Sequence, residues 1–173
     1  IKILAGVYGD YEGTIEVGGR AARPGSPQEA AALGIAVIHQ ELSLVGAMSV
    51  ADNLFLGRAL TRGGFVCDGR QHEEARRLLG QLGIDIAVER LVEDLPIAAQ
   101  QLVEIAKALR LSARVIVMDE PTSALSAPEA ERLFALIADL KARGCGIVYI
   151  THKMEEIERL ADRITVLRDG GLV

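Results

Sequence analysis

Three short runs along the chain are apolar at nearly every position: Ile35-Ala36-Val37-Ile38, Val115-Ile116-Val117-Met118 and Ile147-Val148-Tyr149-Ile150. A strand with one wet face alternates; one that stays apolar throughout is covered on both faces, as inside a parallel sheet. Between and after these runs the apolar positions are spaced three, one, three, at Ala75/Leu78/Leu79/Leu82, Leu102/Ile105/Ala106/Leu109 and Leu133/Leu136/Ile137/Leu140, the spacing of one buried helix face. Ser26-Pro27-Gln28-Glu29 and Ser126-Ala127-Pro128-Glu129 predict helix starts. Each is an S-x-x-E box in which serine and glutamate satisfy orphan amides reciprocally, with a proline in the first turn where a missing N–H costs little. Strands separated by helices predict an α/β domain with right-handed crossovers.

The interval 44–112 breaks the alternation. Helical signals at 50–56, 72–82 and 98–109, with no convincing strand, predict a helical subdomain inserted between two sheet strands. The expected organisation is therefore 1–43 as a partial α/β core, 44–112 as the helical subdomain and 113–173 as the remainder of the core. Near the two ends, residues 14–19 and 164–171 predict short strands meeting glycine turns.

Composition narrows this picture. Of 173 residues half are hydrophobic but only 3 % aromatic, so the core is expected from Leu, Ile, Val and Ala, which suits helices on a sheet better than a β-sandwich. A net charge of −5 gives no support for a duplex nucleic-acid partner, because phosphate neutralisation needs a basic face. No apolar run approaches the roughly 18 to 20 residues of a membrane span and no signal-peptide pattern opens the chain, which predicts a soluble protein able to dock on a membrane protein. Cys67 and Cys145 show no ligand spacing and read as reduced thiols, as in the cytoplasm.

Each core strand runs directly into residues able to handle phosphate, metal or water: His39 and Gln40, then Asp119 and Glu120, then Thr151 and His152. In open α/β sheets ligands bind outside the carboxyl ends of the strands, so one crevice would receive all three pairs. Singly these residues have plain readings too, a turn glutamine, a hydrogen-bonding histidine, a strand leaving the core through two acids. Together they suit phosphoanhydride hydrolysis. A strand-end Asp can hold Mg²⁺, a second acid can polarise water, Gln40 can orient that water and His152 can donate to a terminal phosphate.

Those residues resemble the nucleotide-binding subunits of ATP-binding-cassette transporters, a P-loop NTPase (RecA-like) α/β fold with an inserted helical subdomain. VIVMDEPTSALS is similar to the Walker B strand, catalytic glutamate and D-loop, YITHK to the H-loop and IAVIHQELSL to the Q-loop. IHQELSLV, MSVADNLFLGR and QQLVEIAKAL resemble, more narrowly, the first cassette of monosaccharide importer ATPases of the ribose, galactose and xylose type. The resemblance implies ATP and Mg²⁺ as cofactors, with Asp119 and Gln40 at the metal and Glu120 and His152 catalytic. Gln40, Ile97, Ala98, Ala99 and Gln100 are then expected at nucleotide, as are Ser123, Ala124 and Leu125 in the stretch to Ser126 that crosses to a partner cassette. It also implies a second cassette, a transmembrane sugar permease received along residues 41–56, a periplasmic sugar-binding protein reached indirectly, and a peripheral place on the cytoplasmic face of the membrane. Leu54, Phe55 and Leu56 within that surface read equally as subdomain core.

Two departures stand out. Where the family carries Leu-Ser-Gly-Gly-Gln or a relative, this chain has Leu95-Pro96-Ile97-Ala98-Ala99, and Pro96 offers neither hydroxyl nor N–H. A weakened contribution to the opposite ATP site is expected. The phosphate loop G-x-x-x-x-G-K-[ST] does not occur at all, and Ile1-Lys2-Ile3-Leu4-Ala5-Gly6 looks like the end of the helix that follows it. The chain thus reads as a cassette lacking its first strands and Walker A, expected neither to bind ATP tightly nor to hydrolyse it alone. A soluble cassette ATPase of translation or DNA repair, and an inactive fragment serving only as an interaction surface, are the alternatives.

Overall fold

The computed structural model describes residues 1–39, 42–110, 113–168 and 170–173. Its elements are β1 (Ile15–Val17), β2 (Arg20–Ala22), α1 (Pro27–Ala32), β3 (Ile35–Ile38), α2 (Val50–Phe55), β4 (Thr61–Arg62), β5 (Phe65–Val66), α3 (Asp68–Gln81), α4 (Ile97–Arg110), β6 (Val115–Asp119), α5 (Ala127–Ala142), β7 (Gly146–Ile150), α6 (Met154–Leu160), β8 (Leu167–Arg168) and β9 (Gly171–Leu172). The three continuous apolar runs form one parallel sheet in the order β3-β6-β7, so the fold is α/β as expected. Strand alternation sorts their side chains onto two faces. Ala36, Ile38, Ile116 and Met118 bury against Ile105 and Ala108 of α4 and Leu133 and Ile137 of α5. Ile35 and Val117 bury on the other face with Ala30 of α1. Each large side chain removed from water in this way contributes about 1.5 to 3 kcal/mol.

A second cluster gathers Val50 and Leu54 of α2, Ala75 and Leu79 of α3, and Val103 and Ala106 of α4. Helix α4 therefore belongs to both cores, which is why almost its whole circumference is buried. Within residues 44–112, where no strand was expected, the structure has two among the described residues. They form the hairpin β4–β5, whose Gly63 and Gly64 both take positive φ, as a two-residue turn requires.

The two serine boxes are built differently. Glu129 Oε2 accepts from both the backbone N (2.8 Å) and the hydroxyl (2.6 Å) of Ser126 at the start of α5. At α1, Ser26 Oγ accepts from Glu29 N (3.2 Å), but Glu29 Oε2 reaches one residue further back, to Gly25 N (2.9 Å). That corrects the reciprocal arrangement expected there.

The first residues close as a helix end. Gly6 N donates to Ile3 O and Val7 N to Lys2 O, with Gly6 at φ +70°, the paired bonds of a Schellman motif. A side chain at Gly6 would place its Cβ 2.3 Å from Ser26 O, so this turn lies against the start of α1. Ile1 and Leu4 pack on the Ile35/Val117 face of the sheet.

Candidate active site

The parallel register pairs Ile38 with Met118 and Asp119 with Ile150, so the three strands release the chain at the same edge. Asp119 ends β6, and by alternation it continues the face of Val115 and Val117. Glu120 then leaves the strand at φ +46°, the only positive value among the described non-glycine residues, held there by donation from its N to Ile150 O (3.0 Å). Its Oε1 lies 3.0 Å from His152 Nδ1. A carboxylate only accepts, so Nδ1 carries the proton in this bond, and Nε2 can donate as well only when the ring is doubly protonated. The imidazole is largely open to solvent and the carboxylate partly so.

The residues expected to act together are thus divided. Asp119, Glu120 and His152 share one edge. His39 follows β3 at the same edge and is exposed, while Gln40 lies outside the described residues. Ser123 and Ala124 are exposed in the turn after Pro121 and Leu125 is half-buried. At α4, Leu95 is extended ahead of Pro96, and the first intrahelical bond is Gln100 N to Pro96 O (3.0 Å). The amides of Ile97, Ala98 and Ala99 precede that bond, as at any helix start. Gln100 Nε2 folds back to Leu95 O (2.9 Å), so this end offers backbone amides rather than the glutamine side chain. No hydrogen bond or ion pair among the described residues joins it to the Glu120–His152 pair.

Among the described residues no three His, Cys, Asp or Glu side chains gather into a metal cage. Asp119 alone fits a hard ion such as Mg²⁺, which takes one or two carboxylates and completes its shell with water and phosphate. Leu54 and Phe55 prove to be core, at 1 % and 5 % exposed, whereas Leu56 is 44 % exposed. The pattern of the sequence missed a buried polar group beneath the pair: Glu156 of α6 accepts from Thr122 and Tyr149 and neighbours Lys153. Tyr149, inward-facing on a strand and needing a partner for its hydroxyl, was the available signal.

The sequence profile of the ABC transporter family matches residues 1–123. The chain is 54 % identical over its whole length to a ribose import ATP-binding protein (RbsA 2) of Rubrobacter xylanophilus. Over 98 % of its length it is 45 % identical to a galactose/methyl galactoside import ATP-binding protein (MglA) of Pasteurella multocida. It spans 34 % of the length of each of these relatives. Among solved structures, a nucleotide-free ATP-binding cassette from an ABC transporter superposes with a TM-score of 0.83 at 23 % identity, covering 99 % of this chain and 72 % of that one. A dimeric post-hydrolysis cassette bound to ADP and Pi gives 0.80 at 23 % identity, covering 99 % and 75 %. No helix among the described residues is long and apolar enough to cross a membrane.

Proposed function

The chain belongs to the ABC transporter family, and on that premise we propose that it is a portion of the ATP-hydrolysing subunit that energises carbohydrate import. The observation that carries this reading is the Glu120–His152 contact at the carboxyl edge of the parallel strands. Glu120 takes the proton of an attacking water, and His152, oriented through Nδ1, donates from Nε2 to the terminal phosphate when its ring is doubly protonated. Asp119 and Gln40 are the residues that would hold Mg²⁺; when bound, the ion supplies neutralisation of charge on the phosphate oxygens. Ile97, Ala98, Ala99 and Gln100, with Ser123, Ala124 and Leu125, serve a nucleotide shared with a second cassette. With Pro96 in place of the family's serine, and Gln100 bonded back to Pro96 and Leu95, the contribution from α4 rests on the amides of Ile97, Ala98 and Ala99, and the two sites are unequal.

That both relatives are sugar import ATP-binding proteins supports sugar import over translation or repair. By the same reading the permease meets residues 41–56, with the exposed Leu56 as its apolar contact, and the sugar-binding protein acts through the permease. The chain works peripherally on the cytoplasmic face, as a portion of a longer polypeptide like the relatives of which it spans 34 %.

ATP turnover tests this. In that longer polypeptide Glu120→Gln lowers kcat on the order of 100-fold or more while ATP binding survives, and the 173-residue chain alone shows no turnover. Turnover by the short chain, abolished by Glu120→Gln, would overturn the proposed division of the site.

A further inference from the structure

Glu156 is only 5 % exposed, and no step above employs it. Its Oε1 accepts from Thr122 Oγ1 and its Oε2 from the Tyr149 hydroxyl (2.9 Å). Lys153 Nζ lies 3.3 Å from Oε1 and donates to Thr122 Oγ1 (3.0 Å) and Thr122 O (3.4 Å). Thr122, itself 3 % exposed, follows Glu120 by two positions; Lys153 follows His152 directly. Two chain segments that carry the reacting side chains are therefore fastened to each other from below.

This matters because the visible bond between Glu120 and His152 is exposed, and exposed pairs fix geometry weakly. A buried carboxylate with two hydroxyl donors and an ammonium beside it is the opposite case: removing it strands the Thr122 hydroxyl and the Tyr149 phenol without their acceptor, whereas Lys153 keeps Thr122 and water. Burial alone pushes the Glu156 carboxyl up, but hydrogen bonds from Thr122, Thr151, Tyr149 and Lys153 more than offset that and hold it below the ordinary carboxylate range. The acceptor is thus a charged one, and charge-assisted bonds are the strong ones.

We propose that Glu156 is a positioning residue, which ties the loop carrying Glu120 to the turn carrying His152 and so sets the separation of those two side chains. It rests on the reading of Glu120 and His152 as the reacting pair. Holding α6 on the sheet is the merely structural alternative, and a readout at His152 separates the two, since Glu156 makes no hydrogen bond to that ring among the described contacts.

The test uses the 173-residue chain with isotopically labelled histidine, followed by ring resonances in NMR. Glu120→Gln defines the displacement of the His152 signals when its carboxylate partner is lost. Glu156→Ala is expected to reproduce that displacement, and Glu156→Gln, which keeps one acceptor oxygen, to restore much of the parent spectrum. Should Glu156→Ala fail to fold, Thr122→Val removes a single donor and shows the same displacement in smaller degree. A lowered melting temperature with His152 signals unmoved in these variants would overturn the proposal. In the longer polypeptide, Glu156→Ala lowers kcat for ATP on the order of 10- to 100-fold with KM unchanged. If the parent polypeptide has no turnover, the proposed function fails, while the histidine spectra still decide the role of Glu156.

Discussion

Glu120 occupies a backbone conformation that penalises every side chain except glycine's hydrogen. At φ +46° its Cβ crowds the neighbouring carbonyl, a cost of about 1 to 2 kcal/mol. The bond it makes with His152 returns less, because the imidazole side chain is 74 % exposed and such pairs contribute about 0 to 1 kcal/mol. Glu120→Gly is therefore expected to raise stability by about 1 kcal/mol, read as a higher urea midpoint at unchanged slope, while Glu120→Ala retains the strain and gains nothing. Both lose the carboxylate, so the stabler protein is the less active one. The identity of the two acids and their place at a strand end were legible in VIVMDEP, since a continuous apolar run has to surface somewhere polar. The strain was not, because glutamate carries none of the left-handed preference that marks Gly or Asn.

At the scale of elements, α2 shows how a short helix is held. Its six residues supply too few internal bonds to be stable alone. Ser49 Oγ caps it by accepting from Asp52 N (3.0 Å). Asn53, fully buried, takes a bond from Val45 N (2.7 Å) and gives bonds to Val45 O (3.0 Å), Met48 O (3.3 Å) and Ser49 O (3.0 Å), pinning the strap that leads into the helix. Asn53→Ala strands these backbone groups and is expected to cost about 2 to 3 kcal/mol in chemical denaturation, with faster amide exchange at Val45 as its local mark. Periodicity located α3, α4 and α5 because each is long enough for its apolar spacing to repeat. Helix α6, seven residues with three glutamates, repeats nothing, and whether Glu155 or Glu156 is the buried one depends on Thr122 and Tyr149, which only the folded chain brings near. The hairpin β4–β5 escaped for a related reason: its strands are two residues long and exposed, so only Gly63-Gly64 announced it.

For the molecule as a whole, the sheet is incompletely dressed. Among the described residues β7 pairs only with β6, and Val148, opposite the fully buried Val117, is 40 % exposed. An open parallel edge with an apolar flank is a template for another strand. The 173-residue chain is expected to self-associate with rising concentration in sedimentation velocity, and Val148→Lys to shift it toward monomer at a stability cost of no more than about 0.5 kcal/mol. The sheet order itself was not written in the sequence, since three apolar runs of similar length permit several orders and register is chosen by the helices that cover them.

Helix α4, seated in both cores, also bears on how the chain assembles. Pairing β3 with β6 requires closing residues 39–114, and each doubling of an open loop costs about 0.6 kcal/mol in chain entropy. The packing of α2, α3 and α4 on one another is local by comparison and draws that span together in advance. Because the far side of α4 already displays Ile105 and Ala108, the face on which Ala36 and Ile38 settle is present before the strand pairing that needs it. Speed of folding is thereby set less by the sheet's long-range pairing than by how soon this one helix finds its partners.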